Sequence, residues 1–201
     1  MKTRAHASAA LACLGITSLL VACDEPLPEP KPKLRTGQAI QIASAIKGDE
    51  IALAGPFEGQ RLRLVGIHAL AAEIGQPTLD KYAALSLKTL TEWLKDGATV
   101  EIRQPMKDMS GRYLGYLATS GGDVNRRMVE QGLALVYTEF AFVREADYLA
   151  AEAKARAEKT GIWAEDAATL TILRGLRKQW AELRTGREGP ALADPWLAQT
   201  P

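Results

Sequence analysis

Arg63, Arg112, Asp49, His68 and Glu73 lie on short segments that each carry a glycine, where a chain turns and distant side chains can converge. What they can do follows from their types. A guanidinium keeps its charge, and its planar fork grips an oxyanion through paired hydrogen bonds. A carboxylate ligates hard cations or handles a proton. Imidazole exchanges protons near pH 7 and suits zinc, copper, nickel or iron. The 201 residues include 25 Lys and Arg, 24 Asp and Glu, and 2 His. A leader ending at Ala22 takes away Lys2, Arg4 and His6, leaving 23 basic residues against 24 acidic ones and His68 as the one histidine. That balance excludes the strongly basic body of a tight nucleic-acid binder. Any grip on phosphate therefore falls to a few locally placed arginines. Cys13 lies inside the leader and Cys23 directly after it, so no thiol remains for a disulfide and the domain must be held by its core.

The elements that must position these residues can be read from periodicity. Segments 39–46, 51–54, 60–67, 99–103, 113–118 and 133–137 read as strands separated by Gly-containing turns. Leu79, Ala83, Leu87, Leu90 and Leu94 recur at helical spacing, with Thr78 as N-cap and Gly97 as the stop. Short helices are expected at 123–131, stopped by Gly132, and at 144–159, closed by Gly161. Leu62, Leu64, Leu87, Leu90 and Trp163 are the expected core. Strands grouped together and punctuated by unpaired helices argue for a small barrel rather than a βαβ sheet.

Several segments follow one another in a fixed order. They are Gly48-Asp49, R-L-R-L-V-G-I at 61–67, Gln76-Pro77 and Lys107-Asp108-x-x-Gly111-Arg112. Asp123-Val124-Asn125, Val129-x-x-Gly132-Leu133-Ala134 and Thr160-Gly161-Ile162-Trp163 complete the series. In this order and spacing they resemble the staphylococcal nuclease (thermonuclease-like) family across 37–166. The resemblance implies an α+β fold: a five-stranded OB-type barrel with three helices, here with an extra C-terminal helix, and a phosphodiesterase site on the barrel face. It implies Arg63 and Arg112 as catalytic phosphate-binding arginines and Asp49 as a calcium ligand, with Glu50 where the family has threonine. Phosphodiester cleavage needs fixed cations on the equatorial oxygens, a metal on phosphate and water, and a carboxylate for the proton.

The family pattern breaks at the centre of the site. Where the family reads G-I-D-A-P-E and then Q-P, this chain reads Gly66-Ile67-His68-Ala69-Leu70-Ala71-Ala72-Glu73-Ile74-Gly75-Gln76-Pro77. His68 stands in place of the second metal aspartate, and Ala71 carries no carboxylate. Counted back from Gln76-Pro77, Glu73 falls in register with the family's catalytic glutamate. Calcium gains little from imidazole. Three outcomes stay open: degenerate or weakened catalysis, altered catalysis with His68 as a base or as a transition-metal ligand beside Asp49, and near-normal calcium chemistry.

Residues 1–22 combine Lys2 and Arg4, an apolar stretch and Leu20-Val21-Ala22-Cys23. This resembles a bacterial lipoprotein signal, in which Cys23 is acylated and becomes the membrane anchor; an ordinary secretion signal is the alternative. Asp24 resembles an inner-membrane retention cue. A Pro- and charge-rich tether at 23–36 follows, suited to extended polyproline II. The domain at 37–166 comes next, and then an extension at 167–201. In that extension Leu170, Leu173, Leu176, Trp180 and Leu183 form a stripe among arginines. Such a helix packs its leucines on its own domain with its charges in water, or lies on an anionic membrane or nucleic acid. Two functions compete: a nuclease-like phosphodiesterase lipid-anchored in the cell envelope and facing the periplasm, and a non-catalytic module that binds an envelope protein or polyanion.

Overall fold

In R-L-R-L at 61–64, Leu62 and Leu64 are buried while Arg61 and Arg63 face the other way, the period of two that extended backbone imposes. The computed structural model describes residues 32–70, 76–189 and 194–198, and that strand lies near the middle of its sheet. The leader, Cys23 and Glu73 lie outside the described residues.

Nine strands are present among the described residues: β1 (Gln38–Ile40), β2 (Ile42–Lys47), β3 (Glu50–Leu53), β4 (Arg61–Leu64), β5 (Ile67–His68), β6 (Ala98–Lys107), β7 (Tyr113–Thr119), β8 (Gly122–Asp123) and β9 (Leu135–Val136). The α-helices are α1 (Pro77–Trp93), α2 (Val124–Glu130), α3 (Glu145–Ala157), α4 (Ala167–Glu188) and α5 (Pro195–Ala198). A seven-stranded sheet runs β1-β6-β7-β4-β3-β2 with β8 on β7, and β5 pairs with β9 separately. Among the described strands only β4 and β7 run parallel. The α+β class matches the sequence expectation, but the five-stranded barrel with three helices plus one does not. The expected strand 39–46 breaks at Gln41, its first part lying on β6 and its second on β3. The expected strand 60–67 turns at Val65-Gly66, where Gly66 adopts φ 76° against the Phe142 ring. The two ends of the sheet path are thus joined by covalent chain rather than by a ladder.

Helix α1 starts two residues earlier than expected. Gln76 is its N-cap and Pro77 its first residue, a position where proline's missing N–H costs nothing, so Thr78 does not cap. Its buried face is Leu79, Tyr82, Ser86 and Leu90, which leaves Leu87 only half-buried. The reason is a close approach: a Cβ on Gly48 would collide with the Cβ of Ser86. Two small residues let α1 lie directly on the turn that carries Asp49. Helix α2 is capped by Asp123, which accepts from the Arg126 N–H at 3.0 Å. Its fully buried Asn125 accepts from the Leu117 N–H at 3.1 Å and donates to the Val65 carbonyl at 3.0 Å. That one amide ties α2 to β7 and to the turn after β4.

Both ends of the domain pack against it. The tether's last residues belong to the fold: Leu34 is buried, its N–H donates to the Tyr113 hydroxyl at 3.4 Å, and the Pro32 carbonyl accepts from Gln60 at 3.0 Å. Helix α4 does pack on the domain, yet with two of its charges, Arg177 and Arg184, inside. Its buried face is Thr169, Leu173, Arg177, Trp180 and Arg184. Arg177, 1 % exposed, donates to both Glu152 oxygens at 2.6 and 2.8 Å and to Asp194 at 2.7 Å. Arg184 pairs with buried Glu145 at 2.5 Å. Glu152 also accepts from the Val136 N–H at 2.8 Å, so the α4 ion pair fixes strand β9. Removing one partner of such a pair strands the other charge away from water. Glu152, however, keeps Arg156, whose Nη1 donates to Oε2 at 2.6 Å, so Arg177→Ala should lower stability by ~1–3 kcal/mol in chemical denaturation, through the charge-assisted hydrogen bonds it removes. An unchanged midpoint would show that Glu152 is not sealed from solvent.

Candidate active site

The β2–β3 connection is the two-residue turn Gly48-Asp49, pressed against α1. Asp49 is turned inward and fully buried. One of its oxygens, Oδ2, accepts from the Ala69 N–H at 2.7 Å and pairs with Arg63 Nη1. Its other oxygen, Oδ1, is buried without a partner among the described residues. Arg63 also donates to the Ile67 carbonyl at 3.3 Å, which closes the turn between β4 and β5 over the same carboxylate.

The next residue repeats the arrangement. Glu50 opens β3, is 3 % exposed, and accepts from Arg61 Nη1 at 3.0 Å and from Arg112 Nη1 at 2.6 Å. In the β3–β4 ladder Glu50 stands opposite Arg63, and Arg61 lies two residues along on the same strand. Arg112 is held on its other side by Asp108, whose Oδ2 accepts from Nε at 2.8 Å. Asp108 Oδ1 also accepts from the Ser110 and Arg112 N–H groups, each at 3.0 Å, and so shapes the 108–112 loop. Burial works against the Arg112 charge, but the bonds to Glu50 and Asp108 outweigh it and raise its pKa.

His68 ends β5, paired with Leu135 of β9. Its ring stacks on Tyr137 at 5.8 Å and meets the edge of Trp180 of α4 at 5.1 Å. The Arg63 guanidinium lies 6.0 Å from the Tyr137 ring centre, so His68, Tyr137 and Arg63 form one cluster. Burial lowers the imidazole pKa below its ordinary 6.5; Asp49 opposes this, while Arg63 and Lys47 reinforce it. The ring is therefore neutral at pH 7.

The sequence candidates thus meet in part. Asp49 and Arg63 are in direct contact, Arg112 is joined to them through Glu50, and His68 lies beside the Asp49–Ala69 bond. Glu73 falls outside the described residues, as does the rest of 71–75. Glu50 escaped notice as a positioning group. The signal was available: its strand position puts it on the face of Arg61 and Arg63. Tyr137 and Trp180 gave no such signal, because their contact with His68 depends on how α4 packs.

The described residues do not fit calcium. They hold no group of three or more His, Cys, Asp or Glu side chains able to share a cation. Asp49 is already matched by an arginine, and the imidazole is wedged between aromatic rings.

The depressed His68 pKa has a pH signature. The unfolded chain binds a proton below about pH 6.5, which the folded chain resists. The associated stability is complete above that pH and is lost as pH falls toward the lower folded value. Denaturation midpoints of wild type and His68→Gln, compared from about pH 8 down to about pH 5, should show wild type losing relative stability on acidification. Parallel curves would mean that His68 is freely solvated.

The profile of the family described as Staphylococcal nuclease homologue matches residues 61–165, which is just over half of the chain. That span contains Arg63, His68, Arg112 and Asn125. Endonuclease YhcR of Bacillus subtilis (strain 168) is 32 % identical over 152 residues, covering 69 % of this chain. The match takes in only 12 % of that much longer protein. With that profile matching more than half of it, this chain belongs to the staphylococcal nuclease homologue family.

Proposed function

We propose that this protein is a phosphodiesterase that hydrolyses DNA or RNA with little sequence preference, anchored to a membrane through lipidated Cys23. The observation that carries the reading is the tethering of Arg63 and Arg112 to the consecutive carboxylates Asp49 and Glu50. Two guanidiniums are thereby fixed near one another without being neutralised irreversibly. An incoming phosphodiester exchanges part of those carboxylate contacts for its own oxygens. As charge gathers in the transition state, each arginine contact contributes ~3–4 kcal/mol. Glu73 takes or orients the proton of the attacking water. His68, kept neutral, is the alternative acceptor. Since His68 replaces a hard oxygen ligand, calcium-dependent turnover is weak. The site faces the periplasm in the cell envelope, carried on the Pro-rich tether.

A second reading, a non-catalytic module binding an envelope protein or polyanion, draws on one observation: His68 is covered by Tyr137 and Trp180.

Digestion of single- and double-stranded DNA and RNA by the full chain, with calcium, manganese, zinc or chelator, separates the readings. Wild type should cleave slowly. Arg63→Ala and Arg112→Ala should each reduce turnover per folded molecule at least ~100-fold, and Glu73→Gln comparably; the folded fraction, which Arg63→Ala lowers by leaving buried Asp49 without its cation, is measured alongside by circular dichroism. His68→Asp should raise calcium dependence, because it restores an oxygen ligand near Asp49. If wild type and His68→Asp are both inert with every metal while folded, the binding module is the correct function.

The anchor is tested separately. Cys23→Ser should move the protein from the membrane fraction to the soluble one, since stable anchoring needs more than a single acyl chain or a tether. Mass spectrometry finding an unmodified N-terminus at another residue would refute the anchor.

A further inference from the structure

Beyond Arg112, on the far side of Glu50, the surface sinks into a pocket of about 380 Å³. Lys33, Arg61 and Lys107 line it, together with Ser110, Gly111 and Tyr113. Three cations in one concavity are notable in a chain whose mature charge is close to zero. They are also held there. Tyr113 is 2 % exposed and forms the common support: the Lys107 ammonium sits 4.5 Å from its ring centre, and its hydroxyl accepts from the Leu34 N–H. Buried Leu34, with the Pro32–Gln60 bond, fixes the tether end so that Lys33 faces the pocket. Gly111, at φ 74° with open space where a Cβ would lie, keeps the loop side uncovered.

We propose that Lys33, Arg61 and Lys107 form a second phosphate subsite, which takes a backbone phosphate of a single-stranded nucleic acid neighbouring the one held at Arg112. The inference rests on the nuclease reading for what occupies the Arg112 end. The connection is direct: Arg61 and Arg112 share the two oxygens of Glu50, so the two cation groups are separated by one carboxylate. A polymer with a charge on every unit can engage both groups at once, whereas a mononucleotide reaches one. Lysine suits this task because a flexible ammonium tracks a phosphate without demanding its orientation. The concavity favours a strand over a flat lipid surface, although Lys33 adjoins the tether.

The test measures equilibrium binding of the full chain in chelator, using a labelled twelve-nucleotide single strand and a dinucleotide with one bridging phosphate. Wild type should bind the longer strand more tightly. Lys33→Ala/Lys107→Ala should weaken the twelve-nucleotide complex about tenfold or more and flatten the dependence of log K on log salt by ~0.7 per lost contact. The dinucleotide should bind as before, and Lys33→Arg/Lys107→Arg should restore the longer complex. Both lysines are exposed, so the fold should survive, which circular dichroism verifies. Unchanged affinity and salt slope on the longer strand would overturn the subsite, as would an equal loss on the dinucleotide. Loss confined to phosphatidylglycerol vesicles, with strand binding intact, would make it a membrane contact instead. Because binding is read without turnover, an inert wild type with length-dependent binding would sink the nuclease and keep the subsite. A cleaving wild type with an unaffected double variant would do the reverse.

Discussion

Two consecutive carboxylates are buried at the start of β3, and neither can be buried alone. Removing an ionised carboxylate from water costs several kcal/mol unless cations and N–H groups replace the lost hydration. Asp49 finds Arg63 and the Ala69 N–H; Glu50 finds Arg61 and Arg112. These partners come from β4, from the end of β5 and from the loop before β7. The demand for compensation therefore fixes how these elements approach one another. It also explains why the turn must be Gly48-Asp49. Any side chain at 48 would push α1 away and open Asp49 to water. The stability requirement and the proposed phosphate grip use the same arginines, so a substrate gains only the difference between phosphate and carboxylate as a partner.

The C-terminal extension is bound to this arrangement by the same physics. Arg177 and Arg184 are buried because Glu152, Asp194 and Glu145 meet them, and Glu152 in turn holds the Val136 N–H of β9. Strand β9 is the partner of β5, which presents His68. Trp180, on the same helical face as those arginines, lies against the His68 ring. The helix thus reaches the site twice, once through a side chain and once through a backbone ladder. Among the described residues no helix is long and apolar enough to cross a membrane, and α4 spends its amphipathic face on the domain itself.

What the sequence made legible followed local period and turn chemistry. The alternation in R-L-R-L placed Leu62, Leu64 and Arg63 correctly, and Asp123 and Gly132 marked the ends of α2. Gly132 and Gly161, at φ 61° and 58°, were readable as stops although their close approach to each other was not. The failures share one cause. Leu87 was expected inside and Ser86 is, because the inward phase of α1 is set by contact with Gly48, nearly forty residues away in the chain. The α4 leucines were taken as its core face with its charges in water; Leu173 is buried, but so are Arg177 and Arg184, because their carboxylate partners lie on α3 and in the tail. Leu34 read as tether because nothing local reveals the apolar floor beside Tyr113. Period gives a face; only the distant partner decides what that face can bury.

His68 can be understood in the same terms. An aspartate at this position would bring a further negative charge beside Asp49, with Arg63 as the nearest compensating cation among the described residues. A bound cation makes such a pair favourable; without one, like charges raise each other's pKa and loosen the turn. A neutral imidazole adds no charge, stacks on Tyr137 and offers Trp180 an apolar edge. Its pKa is lowered chiefly by the same burial that seals the site. With histidine there, Asp49 is balanced by one arginine and Glu50 by two, and α4 can close over the β5–β9 ladder. A histidine at 68 therefore leaves a site whose described charges already balance, where an aspartate would need a further cation.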